Sequence, residues 1–195
     1  MTGIARIGLA KPREARPDVV LLDAIAHGDL SALGEIYDRY HADVRRVVVR
    51  TLATNADVDD VVQATFLAVP RIAASFEGDG ACRAWLCGVA VNTALRHRRG
   101  ASRFVRMLSS FAWTQSHAAA HDPERDAASR GELRLLEGAL ADLAPKKRAA
   151  FVLVEIEGLS AEQTAIALEI PVATVRTRLF HAKKELRAAM KRGGA

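Results

Sequence analysis

A chain of 195 residues that is 50% hydrophobic, 5% aromatic and 26% charged has room for one ordinary domain or two small ones built from small apolar side chains. Its apolar runs, VVV at 47–49 and the longest, AAFVLV at 149–154, among them, fall far short of the ~20 residues that cross a bilayer. No signal-type apolar segment follows the basic N-terminus, so a cytoplasmic protein with no direct membrane insertion is expected. The net charge of +5 is unevenly spread, because seven Lys/Arg face a single acid, Glu185, within 171–192, the footprint of a polyanion partner.

Residues 1–17 carry Pro12 and Pro17 and no periodicity, and are expected to be a disordered tail. A helical series follows. After a start signal at Asp29 or Ser31, apolar residues recur at three- and four-residue steps from Leu33 to Val48. A second helix opens at Asp57 and runs through Val58, Val61, Val62, Thr65, Phe66 and Val69, where Pro70 is expected to weaken or end it. SFEGDGA (75–81) reads as a loop. A third helix, nearly apolar from about Ala81 until it finishes in RHRR at Arg99, is expected at the centre of a bundle.

Residues 101–129 break the pattern and read as a linker. Within it, FVRMLSSFAW (104–113) is apolar enough either to dock on a partner or to extend the third helix. Ser129 and Glu132 form a capping box that opens a further helix, Pro145 suits the first turn of the next, and Gly158 ends that one. A second capping box, SAEQ at 160–163, starts a short helix through Ala167, followed by the turn EIP (169–171) and a last helix. The fold expected is all-α, two small helical domains joined by a flexible linker: 1–17 tail, 18–100 first domain, 101–129 linker, 130–192 second domain.

Catalytic constellations are not evident. Cys82 and Cys87 are five apart, on different faces of a helix, and no second Cys/His pair completes a tetrahedral site. There is no HExxH, no glycine-rich phosphate loop and no plausible Ser-His-Asp set. Asp57, Asp59 and Asp60 sit where a helix N-terminus favours carboxylates. No enzyme activity, metal, cofactor or small-molecule substrate is expected.

The last helix is more informative. Val175, Leu179, Ala182 and Leu186 form one apolar stripe, while Phe180 lies opposite with Thr177, His181 and Lys184. A capped short helix, a tight turn and a second helix with a basic outer face make a helix-turn-helix. The first two turns of such a helix reach base edges in the major groove. Here they carry Thr174, Arg176, Thr177, Arg178, Phe180 and His181, with Lys184 on the same outer face. Arginine can bridge guanine O6 and N7, and a phenyl ring can meet a thymine methyl. A merely solvated face and a membrane-lying helix compete with this reading. The capped partner helix argues against the first, and the lack of Trp or bulky Leu anchors against the second.

Three stretches in order, DDVVQATFLAV (59–69), SFEGDGACRAWLCGVAVNTALRHRR (75–99) and LSAEQTAIALEIPVATVRTRLFHAKKEL (159–186), resemble a bacterial extracytoplasmic-function (ECF) sigma factor of the sigma-70 family over residues 21–190. The resemblance implies a promoter-specificity subunit that binds core RNA polymerase, initiates transcription and has no catalysis of its own. Region 2 (18–100) would dock on the polymerase through Asp60, Gln63 and Phe66. Phe76, Gly78 and Asp79 of the loop, with Asn92, would hold a base flipped from the −10 element, and Arg96, Arg98 and Arg99 would meet phosphates. Extruding a base costs a few kcal/mol of stacking, which these contacts must offset. Region 4 (130–192) would read the −35 element.

An anti-sigma factor is a further partner implied by the resemblance. Ala64 after Gln63, Pro70, Glu169 in the turn and His181 depart from the family's common pattern. A bundle seam through Trp85, Val89, Asn92 and Arg96, a stand-alone helix-turn-helix regulator and a sigma-like decoy are the alternatives. The 29 linker residues span at most about 100 Å, against roughly 70–85 Å between the two promoter elements.

Overall fold

The computed structural model describes residues 16–76, 82–109 and 129–193, and all regular structure among them is helical. In chain order the helices are α1 (Asp18–Ala26), α2 (Leu30–Leu52), α3 (Val58–Ile72), α4 (Cys82–Ser109), α5 (Ser129–Asp142), α6 (Pro145–Phe151), α7 (Ala161–Leu168) and α8 (Val172–Gly193). The fold class expected from the sequence is the one observed.

Local chemistry sets most boundaries. The carboxylate of Asp29 accepts from the Ser31 and Ala32 amides and so caps α2. Ser160 and Gln163 exchange both bonds of the capping box at 3.1 and 2.9 Å, starting α7. Pro145 occupies the first turn of α6. After a single wide turn at 152–156, Gly158 turns the chain at a φ of 74°. Glu169 closes α7 with a φ of 53°, a left-handed position that glycine usually holds.

Three boundaries differ from the sequence reading. The tail ends in an anchor rather than running free to residue 17, since Arg16 pairs with Glu35 at 2.9 Å and its carbonyl accepts from Arg39. Residues 1–15 lie outside the described residues. Pro70 does not end α3. The helix continues to Ile72 because Val69 and Ala73, on either side of the proline, are buried, and their packing outweighs one lost donor. Helix α4 continues to Ser109, nine residues into the stretch expected to be linker, and residues 110–128 lie outside the described residues.

Helices α1 to α4 form a bundle with α2 and α4 at its centre. Leu21, Ile25, Ile36, Val48, Val61 and Leu86 are among its buried side chains. Each is worth about 1.5–3 kcal/mol relative to exposure. Helices α5, α6 and α8 enclose a smaller cluster of Ala139, Leu140, Leu143, Ala182 and Leu186. The two halves are not separate bodies. Ala149, Val152, Leu153, Leu159 and Leu168 of the second half belong to the same buried cluster as the bundle, so one core runs through both.

Candidate polymerase and nucleic-acid interfaces

Three surfaces carry the residues singled out in the sequence. On the first, α2 and α3 flank an open groove of about 550 Å³ whose walls include Leu33, Tyr37, His41, Gln63, Phe66 and Leu67. Asp60 and Gln63 are exposed along α3. Phe66 differs from the expectation of a surface contact. It is only 5% exposed and stacks against Tyr37 at 4.8 Å, so it forms the floor of the groove. The reason is periodic, because Phe66 follows Val62 by one turn on the core-facing stripe. The apolar side chain that projects is Leu67, 64% exposed, a residue the sequence reading missed. An apolar residue on the wet face of a well-defined amphipathic helix was the available signal.

The second surface lies on α4. Phe76 packs edge-on against Trp85 with ring centroids 5.6 Å apart. Gly78 and Asp79 lie outside the described residues. Arg96 and Arg99 are exposed at the end of this face. Arg98 turns inward and donates to the Leu52 carbonyl at 3.2 Å, which removes it from the phosphate-facing set. Carbonyls at a helix C-terminus carry partial negative charge and attract a cation. Half-buried Asn92 has a partner within the chain, the Ala167 carbonyl of α7, to which its amide donates at 2.6 Å.

The cysteines of α4 are buried thiols, and burial pushes both up to about 12, so they remain protonated core groups. Among the described residues no cluster of His, Cys, Asp and Glu could hold a metal ion.

The third surface is the outer face of α8. Val175, Ala182 and Leu186 are buried, and the opposite side presents Arg176, Thr177, Phe180, His181 and Lys184 to solvent. Phe180 is 65% exposed and meets the His181 ring edge-on, with centroids 5.5 Å apart. Thr174 and Arg178 are half-buried at the margins. Arg176 meets Glu162 of α7 at 3.2 Å. The Glu162 carboxyl is held below its ordinary value by its own backbone amide and by Ser160, with Arg176 adding to the effect. Lys183 is turned aside to Glu155 at 2.8 Å. The surface is therefore a basic, aromatic-bearing helix held by a capped partner helix, as the sequence implies.

Comparison with known proteins decides what these surfaces belong to. Residues 36–104 match the family described as Sigma-70 region 2, and residues 133–186 match Sigma-70, region 4. Over 180 residues the chain is 32% identical to the ECF RNA polymerase sigma-E factor of Salmonella typhimurium, covering 89% of this chain and 94% of that one. The chain belongs to the ECF sigma factors.

The sigma-E factor of Haemophilus influenzae is 31% identical over 178 residues, covering 88% of this chain and 94% of its own. Among solved structures, CnrH in complex with the cytosolic domain of CnrY aligns with a TM-score of 0.61 at 27% identity, over 89% of this sigma factor and 97% of that chain. The sigma factor RpoE of Bartonella quintana, solved with the anti-sigma factor NepR, shares the fold with a TM-score of 0.65 at 22% identity, over 81% and 96%. A sigma factor directs core RNA polymerase to promoters, and the family is one of non-catalytic initiation factors. Among the described residues of this sigma factor no helix is long and apolar enough to cross a membrane.

Proposed function

We propose that this sigma factor divides its work between residues 18–100, which hold polymerase and read the −10 element, and residues 130–192, which read the −35 element. The Asp60, Gln63 and Leu67 side of α3, with the groove floored by Phe66, receives the polymerase. Phe76, Gly78, Asp79 and Asn92 take the flipped −10 base, and Arg96 and Arg99 take neighbouring phosphates. Arg176, Thr177, Phe180 and His181 face −35 base edges, with Thr174 and Arg178 at the margins and Lys184 further along the same outer face. The chain performs no catalysis itself, works in the cytoplasm, and takes an anti-sigma factor as a further partner.

The observation that carries this reading is the exposed Phe180 in a basic helix face set by a capped partner helix. Run-off transcription with purified core polymerase on genomic fragments tests it. Defined start sites that depend on this chain are expected. Stable core binding without any start site would instead make it a decoy, and sequence-specific duplex binding without polymerase would make it a stand-alone regulator.

A further inference from the structure

We infer that Glu162 of α7 is a positioning residue for promoter recognition, one that holds the Arg176 guanidinium on the reading face of α8 so that this arginine acts at one base pair rather than on any run of phosphates. This role rests on the −35 reading proposed above for α8 and deepens it.

The two side chains come from different helices, and the turn between those helices fixes their separation. The Ser160–Gln163 box locks the start of α7. At its end the Glu169 amide donates to the Ile166 carbonyl at 3.1 Å, and the Ile170 amide to the Ala165 carbonyl at 3.0 Å. Helix α8 follows at once, with the Thr174 amide donating to the Pro171 carbonyl at 2.9 Å. Ala165 and Leu168 of α7 and Val175 of α8 are buried, which ties the two helices to the core. The Glu162 carboxylate is also held at its own end, by its backbone amide first and then by Ser160, and both favour its charged form.

This pair differs from the charged contacts that hold the fold. The Glu157 carboxylate is buried between Arg50 and Arg83, and Arg148 is buried against the Thr51 and Leu52 carbonyls. Arg176 and Glu162 are 69% and 62% exposed, and an ion pair that open adds little to stability. Its place is on the outer face, one turn before Phe180, where it bears on what α8 can bind.

A guanidinium carries five N–H donors in a flat fork, and the contact with Glu162 engages one amino group. The remaining donors can be offered to guanine O6 and N7. With part of its charge balanced, Arg176 gains less from a phosphate, whose attraction carries no sequence information. A carboxylate at this place also repels the backbone of a duplex seated out of register.

The test uses the full chain assembled with core polymerase and a promoter duplex mapped by run-off transcription, together with duplexes carrying each single base-pair change across the −35 element. Arg176→Ala first identifies the base pair that Arg176 reads. Glu162→Ala and Glu162→Gln are then compared with the parent. Melting midpoints within about 1 °C of the parent establish that both are folded, and the glutamine variant stands in if the alanine variant melts lower. Discrimination at that base pair is expected to fall about fivefold in Glu162→Ala, with the other positions unchanged. Affinity for an unrelated duplex is expected to rise about threefold at low salt, and its dependence on salt to steepen by ~0.9 in log–log slope. Glu162→Gln keeps an acceptor oxygen without the charge, so it should raise non-specific affinity equally and retain more of the discrimination. In an Arg176→Ala background, Glu162→Ala should no longer alter discrimination.

Unchanged discrimination in Glu162→Ala, or an equal change at every position, overturns the positioning role and leaves the −35 reading intact. Equal weakening at every position by Arg176→Ala overturns base reading by Arg176 itself, and the role of Glu162 with it, so the two failures are distinguishable.

Discussion

The faces on α8 and α4 are both basic and both implied by the sequence, yet the fold treats them differently. On α8 the outer side chains stand in solvent, Phe180 among them at 65% exposed. On α4 the one amide proposed to meet a base is already bonded to a carbonyl 75 residues away. The face proposed for the −35 element therefore stands open, while the amide proposed for the −10 base is engaged within the fold. Rigid recognition suits duplex DNA, whose major groove exists before binding. A flipped base exists only after the duplex opens.

The largest effect that would sharpen this comparison is expected at the interface. Arg148→Ala leaves the carbonyls of Thr51, Leu52 and Leu143 without their donor and opens a void. A loss of about 3 kcal/mol is expected, seen in thermal melts as roughly 6–12 °C. An unchanged midpoint would show that the two halves do not depend on one another.

Arg176→Ala is expected to cost about 1–3 kcal/mol in duplex binding at the −35 element, concentrated on one base pair. Equal weakening on every sequence would make it a phosphate contact and leave base reading to Arg178 and Phe180. Phe180→Ala should leave the melting midpoint within about 1 °C, as exposed substitutions do, and weaken −35 binding several-fold. A midpoint that falls instead would mean that α8 packs against something on its outer face. Asn92→Ala is expected to impair promoter opening with core binding intact, measured by permanganate footprinting beside a polymerase pull-down.

Smaller effects bear on the two halves separately. Glu169→Gly relieves a left-handed residue and should stabilise the second half by up to about 1 kcal/mol in urea unfolding. In the first half, the Ser31 hydroxyl, the Ser31 and Ala32 amides and Arg16 hold the Asp29 carboxyl below its ordinary 3.8. Its folded value is the lower one, so its contribution is present above about pH 4 and is lost as pH falls through that folded value. The difference in melting between the parent and Asp29→Ala should close on acidification, and a constant difference would mean the cap acts without its charge.

The proposed two-part grip also depends on reach. With α4 helical to Ser109, nine of the linker residues advance only about 1.5 Å each. The span available between residues 100 and 129 falls from about 100 Å to roughly 80 Å. That covers only the lower part of the roughly 70–85 Å between the promoter elements. The simple tether expected from composition becomes a helical arm followed by a shorter chain.

Much of the molecule was legible in its sequence because much of it is decided locally. The Ser160–Gln163 box, the Asp29 cap, the turn at Gly158 and the Val175–Leu186 stripe all act within a few residues or one helical period, and each holds in three dimensions. Family motifs in the right order did the rest. Phe66 as a floor and Leu67 as a projection are one residue apart, and the helical period that sets Phe66 on the stripe of Val62 and Val69 distinguishes them.

The partners of Asn92, Arg148 and Glu157 were beyond any such reading. Their contacts join residues 75, 97 and 107 apart, and no periodicity or capping pattern spans that distance. A buried arginine and a buried glutamate look like surface residues in a sequence, since isolated charges belong in water. They could be placed only by the tertiary structure, where carbonyls at the end of α2 and paired guanidinium groups make burial tolerable. The sequence by itself determined most of the helices, the basic outer face of α8 and the family. Tertiary packing alone decided that the two halves meet, because charge pairing across a gap of a hundred residues leaves no local trace.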